Sequence, residues 1–70
     1  MPLAKNLLRH VREQRALTQG QLAEQAGVSR QTIISIEAGK YTPSLELAFR
    51  LAEAFGVKLE EVFEYRVKEG

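Results

Sequence analysis

The apolar residues of this chain recur at steps of three and four, which is the period of an amphipathic helix. The first such stripe predicts a helix over residues 3–15. Its buried side carries Leu3, Leu7, Leu8 and Val11. Thr18 and Gln21 have the spacing of a capping box, so a second helix is predicted to begin there and to end at Gly27.

The same period continues through three further helices. Ser29 is a good N-cap for the third helix. Its inward side carries Ile33, Ile36 and Glu37. A fourth helix begins near Ser44 and ends at Gly56, and a short fifth helix covers residues 59–63. The tail alternates apolar and polar residues like a strand but is too short and polar to predict one by itself. We therefore predict an all-α, compact five-helix fold in a single domain over residues 1–70.

Composition narrows the class of protein. All nine acidic residues are Glu, a good helix former, and the absence of Cys excludes disulfides, thiolate metal sites and a thiol nucleophile. No apolar run approaches the roughly 18 residues that suggest a membrane span, so we expect a soluble protein of the cytoplasm. His10 is the only histidine, and no phosphate loop, metal motif or nucleophile elbow occurs. We therefore expect no enzyme activity, cofactor, metal site or small-molecule substrate.

Residues 18–38 combine two short helices with a tight connection through Gly27, Val28 and Ser29, which is the arrangement of a helix-turn-helix. The stretch LTQGQLAEQAGVSRQTIISIEAGKYTPSLELAFRLAEAFGV resembles the Xre family of transcriptional regulators, which includes the phage Cro and cI-like proteins. The resemblance covers roughly residues 3–63. It implies a lambda-repressor-like fold and a sequence-specific DNA-binding regulator of the nucleoid, in particular a repressor.

The third helix presents a polar side away from its buried one. At about 100° per residue, Gln31 and Ser35 point almost directly away from the inward side, and Arg30 and Ile34 flank them. A Gln amide can bond bidentately to adenine, and an Arg guanidinium to guanine, in the major groove. Ile34 could touch a thymine methyl or simply cover a neighbouring loop or subunit. We predict that these four side chains read DNA bases.

Five residues around this helix are predicted to contact DNA phosphates. Gln19 stands at the first position of the second helix, where free backbone N–H groups form an anion site, and the resemblance implies a phosphate-clamping role for it. Lys40 and Tyr41 follow the third helix, in the loop that lies along the DNA backbone in similar proteins. Ser29 and Thr32, at the start of the third helix, complete the set.

Glu37 lies on the inward side of the third helix, where an unpaired carboxylate is costly. It therefore needs a partner. The resemblance implies an Arg on the first helix for this purpose, and Arg12 is the matching position. We predict a structural ion pair between Arg12 and Glu37, without a catalytic role.

A single recognition helix reads too few base pairs to find one genomic site, since each good contact discriminates by only about 1–3 kcal/mol. Similar proteins dimerise, so that two helices enter successive major grooves of a palindromic site. The C-terminal third holds more apolar side chains than a small core obviously needs. The predicted homodimer contacts are Leu59, Val62, Phe63, Tyr65 and Val67, with the tail 64–70 at the interface. The alternative is that Phe63 closes the core and the tail frays.

The formal net charge of +1 conceals a division along the chain. Residues 1–40 hold six Lys or Arg against three Glu, a net charge of +3, whereas residues 41–70 hold four against six, a net charge of −2. The basic part contains the helix-turn-helix, as expected for a double-stranded DNA partner.

Two other functions use the same fold: the antitoxin of a toxin–antitoxin pair, which has a partner protein, and a protein-interaction module that does not read sequence.

Overall fold

The computed structural model describes residues 3–66, and within them four α-helices, one 3₁₀ turn and two short strands share one core. The elements, in chain order, are β1 (Leu3–Asn6), α1 (Leu8–Gln14), α2 (Gln19–Ala26), α3 (Arg30–Glu37), α4 (Leu45–Phe55), the 3₁₀ turn (Leu59–Glu61) and β2 (Phe63–Tyr65). The longest helix, α4, has 11 residues, so no helix in this part of the chain could cross a bilayer.

The prediction of helices fails at both ends of residues 3–66. The helix predicted over residues 3–15 begins only at Leu8, because residues 3–6 form strand β1. This strand pairs antiparallel with β2, with Asn6 opposite Phe63, and we call β1 and β2 the strand pair. The helix predicted over residues 59–63 is a single 3₁₀ turn that leads into β2. The fold is therefore mainly helical but not all-α. The sequence pattern did not predict the strands, because β1 pairs with a segment at the far end of residues 3–66 and local periodicity carries no information about such a partner.

The starts of α2, α3 and α4 follow the predicted caps. The capping box is confirmed: Thr18 Oγ1 accepts from the Gln21 backbone N–H at 3.0 Å, and Gln21 Oε1 accepts from the Thr18 backbone N–H at 2.8 Å. Ser29 caps α3, and Ser44 caps α4 through a bond from the Leu47 N–H. Since each cap satisfies a donor that the helix itself leaves free, these helices begin where the sequence indicates.

The core draws on every helix and also on β2. The largest fully buried side chains include Leu8, Leu22, Ile33, Ile36, Leu51, Val62 and Phe63. Val62 and Phe63 are 0% and 1% exposed, so they close the core and offer no surface to a second subunit. Their assignment as dimer contacts is corrected accordingly. Leu59 and Tyr65 are half-buried against the same core, and Val67 lies outside the described residues together with residues 68–70 of the tail.

Candidate nucleic-acid interface

The helix-turn-helix is formed by α2 and α3, which pack directly on each other. Two small buried side chains of α2, Ala23 and Ala26, allow the close approach. Gly27 ends α2 with φ +72°, a conformation that a residue with a Cβ adopts at a cost. Ser29 then caps α3, so that only three residues, 27–29, connect the two helices.

The outer side of α3 carries the four predicted base-reading side chains. Arg30 and Gln31 are exposed, and Ile34 and Ser35 are half-buried. The inner side is anchored by Ile33 and Ile36, both fully buried. The helix therefore presents a polar surface near its N-terminus and a more apolar one towards its C-terminus.

A shallow groove lies beside this surface, between α1, α3 and the start of α2. Its lining consists of Arg9, Arg12, Gln19, Ile34, Glu37 and Ala38. Arg9 is exposed and is absent from the sequence-based predictions, although it stands one turn before Arg12 on α1 and so shares its side of the helix. Ile34 is half-buried and is the largest apolar side chain in the lining of this groove.

Arg12 and Glu37 face each other at the base of the groove. Arg12 Nε donates to Glu37 Oε2 at 2.6 Å and Nη2 donates to Oε1 at 3.1 Å, which is the bidentate geometry of a strong pair. Their side chains are only 12% and 5% exposed. Arg12 Nη1 also donates to the Leu17 carbonyl at 2.8 Å, so the same side chain ties the end of α1 to the connection before α2.

The surroundings favour the charged form of this arginine. The hydrogen bond to Glu37 raises the pKa of Arg12 above its already high ordinary value, against the opposing effect of burial. Because this pKa is raised, the stability linked to protonation of Arg12 is lost only as the pH rises through the folded-state value, in extreme alkali. In residues 3–66, every buried side-chain N or O atom has a hydrogen-bond partner.

Gln19 takes part in this network. Its Nε2 donates to Glu37 Oε1 at 3.1 Å, which links the start of α2 to the end of α3. The resemblance implies a phosphate contact for the Gln19 side chain, whereas its half-buried amide is bonded inside the protein. Its backbone N–H is at the first position of α2 and therefore has no acceptor within the helix.

The other predicted phosphate contacts lie around the two ends of α3. Ser29 Oγ accepts from the Thr32 N–H at 3.2 Å, and the two hydroxyl oxygens are 2.9 Å apart. Lys40 and Tyr41 are exposed in the loop after α3, and the Lys40 backbone N–H donates to the Ser35 carbonyl at 2.9 Å. The Ser29 hydroxyl thus caps the helix, and the loop after it presents a cation and a phenol to solvent.

The outer side of α4 has an apolar surface that the sequence-based predictions did not include. Leu45 and Phe49, four residues apart, are 48% and 60% exposed. A groove next to them is lined by Ala52, Val57 and Leu59, together with polar residues at its edge. The signal was present in the sequence, because these two side chains fall outside the inward stripe of α4.

His10 is exposed. Residues 3–66 contain no group of three or more His, Cys, Asp or Glu side chains that could hold a metal ion, at His10 or elsewhere. The lining of the groove beside α3 includes the Arg12–Glu37 ion pair and the Gln19 amide, which is hydrogen-bonded to that pair. What the arrangement offers chemically is a rigid, polar helix surface with cations near it, which suits binding to a polyanion.

Comparison with known proteins gives the same picture. The family model described as helix-turn-helix matches residues 8–62. The chain is 59% identical over 61 residues to an uncharacterized HTH-type transcriptional regulator of Methanocaldococcus jannaschii, covering 87% of this chain and 92% of that protein. It is 38% identical over 55 residues to the immunity repressor protein of Bacillus phage phi105, covering 79% of this chain and 38% of that one.

A solved structure agrees with these relatives. The restriction-modification controller protein C.AhdI from Aeromonas hydrophila superposes with a TM-score of 0.75 at 31% identity, over 77% of this chain and 82% of that one. Sequence, packing of α2 on α3 and structural likeness therefore converge, and the chain belongs to the Xre-like helix-turn-helix family of transcriptional regulators, which are not enzymes.

Proposed function

We propose that this regulator is a repressor that binds a palindromic DNA operator as a homodimer, with α3 of each subunit in the major groove. The observation that carries the proposal is the polar outer side of α3, whose inner side is held by the core and by the Arg12–Glu37 pair. An eight-residue helix is about 12 Å long, and the major groove is about 12 Å wide. The phage immunity repressor among the relatives supports repression as the outcome of binding.

In this proposal, reading bases and holding the backbone are separate tasks. The base-reading side chains are Arg30, Gln31, Ile34 and Ser35. The phosphate-contacting residues are Gln19, Ser29, Thr32, Lys40 and Tyr41. The side chains of Gln19 and Ser29 already form hydrogen bonds within the protein. These two residues therefore contact phosphates through their backbone N–H groups at the helix starts. Lys40 neutralises one phosphate as a point charge.

The second subunit is expected on the outer side of α4. Leu45 and Phe49 are large, apolar and exposed, and the half-buried Leu59 lines the adjoining groove. We call these three residues the α4 face. Charges of both signs surround it, from Glu46, Arg50, Glu53, Lys58 and Glu60. A two-fold interface brings each patch against its own copy, so a mixed-charge rim around an apolar centre can complement itself.

The other two functions that share this fold are not favoured. The M. jannaschii, phi105 and C.AhdI relatives are all regulators by name, and one of them is a repressor. The antitoxin and the protein-interaction module would each need a partner-protein surface in addition to α3. The α4 face, which could serve as such a surface, is assigned in our proposal to a second copy of this chain.

Selection of bound sequences from a random DNA pool tests the proposal directly. We expect a palindrome whose half-sites are centred about 34 Å apart, one turn of the double helix. Binding to the selected site should exceed binding to random DNA of equal length at the same salt concentration by at least about a thousandfold. Equal affinity for both DNAs would overturn the proposal, and enrichment of a single unpaired half-site would overturn the dimer.

A further inference from the structure

The end of the recognition helix α3 is built like the ends of α2 and α4. Gly39 has φ +75°, its N–H donates to the Ile36 carbonyl at 3.0 Å, and the Lys40 N–H donates to the Ser35 carbonyl at 2.9 Å. This pair of bonds is a Schellman motif, in which a left-handed residue turns the chain out of the helix. The corresponding bonds after α2 and α4 are Val28 N–H to Ala23 and Val57 N–H to Ala52.

The three helix ends differ in the residue that comes directly after the glycine. Val28 and Val57 are apolar and pack against the core, which is the hydrophobic contact that commonly accompanies this motif. Lys40 is exposed and cannot make that contact. The end of α3 is therefore the one of these three that lacks an apolar anchor of its own.

Asn6 of β1 provides an anchor from outside the helix. Its Nδ2 donates to the Ile36 carbonyl at 2.7 Å, so this carbonyl accepts from both Asn6 and Gly39. Its Oδ1 accepts from the Leu8 N–H at 3.2 Å, at the start of α1. One half-buried amide thus joins three elements: the strand pair, the beginning of α1 and the end of α3.

The strand pair also holds the far side of the loop after α3. The Tyr65 hydroxyl of β2 donates to the Pro43 carbonyl at 2.9 Å. The strand pair is continued by the Leu7 N–H, which donates to the Val62 carbonyl at 2.8 Å, and it is held to the core by the buried Phe63. The loop that carries Lys40 and Tyr41 is consequently fastened at both ends to the same two strands.

We infer that Asn6 is a positioning residue that sets the C-terminal half of α3 and thereby sharpens sequence discrimination without touching DNA; this inference rests on the proposed function of α3. Hydrogen bonds to base edges keep their strength only over a few tenths of an ångström. If the end of α3 moves by more than a few tenths of an ångström, its side chains lose hydrogen bonds to base edges before they lose contacts to phosphates. Contacts to phosphates tolerate such movement better, because they depend chiefly on charge.

Two substitutions separate the two bonds of Asn6. Asn6→Asp keeps an acceptor for the Leu8 N–H and removes the donor to Ile36, at nearly the same size. Asn6→Ser is neutral, can still accept from the start of α1 and is too short to reach Ile36. Both should therefore fold. Gln25→Glu, on the exposed side of α2, adds the same charge as N6D without touching the strand pair and serves as its control.

The first measurement is amide hydrogen exchange in the free protein, which does not depend on DNA. We expect the Lys40 amide to exchange about fivefold faster in N6D and N6S, the loss of one ordinary hydrogen bond. The Val28 and Val57 amides, at the equivalent positions of α2 and α4, should keep their rates, and Gln25→Glu should leave all three unchanged. Unchanged exchange at Lys40 in both variants would overturn the inference.

The second measurement is the ratio of affinities for the selected operator and for random DNA at one salt concentration. We expect this ratio to fall about fivefold in N6D and N6S and to stay constant in Gln25→Glu, which weakens binding to both DNAs alike. A ratio that stays constant in all three variants would overturn the inference while leaving the proposed function intact. A wild-type protein without any sequence preference would overturn the proposed function instead.

Discussion

At the scale of single residues, the Arg12–Glu37 pair has the largest structural consequence. Both side chains are largely withdrawn from water, and each charge is compensated chiefly by the other and by hydrogen bonds to the Leu17 carbonyl and from the Gln19 amide. Removing one partner therefore leaves an uncompensated buried charge, which costs far more than the loss of an exposed pair. The pair also determines where α3 lies against α1, so its role in DNA binding is indirect.

Glu37→Ala should destabilise the fold by about 3–5 kcal/mol, because the Arg12 guanidinium stays buried without its partner. In a domain of this size that loss lowers the melting temperature by about 12 °C or more. Thermal unfolding followed by circular dichroism measures it. Glu13→Ala is the matched control, since its exposed pair with Arg9 contributes under about 1 kcal/mol. An unchanged melting temperature in the Glu37 variant would show that the pair is not structural.

Gln31→Ala and Lys40→Ala should affect DNA binding in different ways. The first removes the base contact that we propose for Gln31 and should relax preference at one position of each half-site by about 1–3 kcal/mol. The second removes the phosphate contact that we propose for Lys40 and should weaken binding to all DNA about equally, lowering the dependence of log affinity on log salt by about one. Binding isotherms over a range of salt concentrations, on the operator and on random DNA, separate the two. If both variants changed affinity and salt dependence in the same way, the division into base-reading and phosphate-contacting residues would be incorrect.

At the scale of elements, the strand pair is what the helical pattern of the sequence left out. Its β2 strand supplies Phe63 to the core and Tyr65 to the loop after α3, with the two rings 6.4 Å apart. Burial raises the pKa of the Tyr65 hydroxyl above its ordinary value. The neutral phenol is therefore the form that the folded protein favours, and it is also the form that donates to Pro43.

This pKa shift predicts a dependence of stability on alkaline pH. The contribution of Tyr65 is fully present below the ordinary tyrosine pKa of about 10 and is lost as pH rises through the higher folded value. In a Tyr41→Phe variant, ultraviolet absorbance of tyrosinate reports Tyr65 alone, and we expect its midpoint above about 10. Addition of Tyr65→Phe should abolish the signal and flatten stability over the same range. A midpoint at or below the ordinary value would mean that the hydroxyl is not buried as described.

At the scale of the whole molecule, the two parts of the chain differ in net charge and in the surface that each one presents. Residues 1–40 carry the net charge of +3 and include α2 and α3, whereas residues 41–70 carry −2 and include the α4 face. The total of +1 provides little general attraction for DNA, so the proposed function relies on the fit of α3 to the groove and on the proposed second subunit for its affinity. A dimer doubles the number of bases read without enlarging the chain.

Phe49→Glu should abolish the homodimer and leave the monomer folded, because this side chain is 60% exposed and adds nothing to the core. Sedimentation velocity measures the mass of the free protein and of its complex with the operator. Gln25→Glu introduces the same charge on the exposed side of α2 and leaves all three residues of the α4 face unchanged, so this variant should stay dimeric. A wild-type protein that remained monomeric at high concentration, both free and on DNA, would rule out the dimer, and an undiminished dimer in the Phe49 variant would rule out this face.

The sequence by itself determined the helix-turn-helix and much of its detail. Caps at Thr18, Ser29 and Ser44 and the inward side of α3 are local properties, because they depend on residues within one or two turns of each other. The outward placement of Gln31 follows from the same period. The partner of Glu37 could be named only through the resemblance, since nothing local connects it to Arg12.

Only the tertiary structure decided the rest, and in each case the deciding contact lies far along the chain. Residues 3–6 are a strand because β2 pairs with them, and Phe63 is core because that pairing draws it inwards. The Gln19 amide is bonded to Glu37, and Asn6 to Ile36, across gaps of 18 and 30 residues. Periodicity describes which way a side chain points from its own helix, whereas burial and hydrogen bonding depend on what the fold brings opposite it.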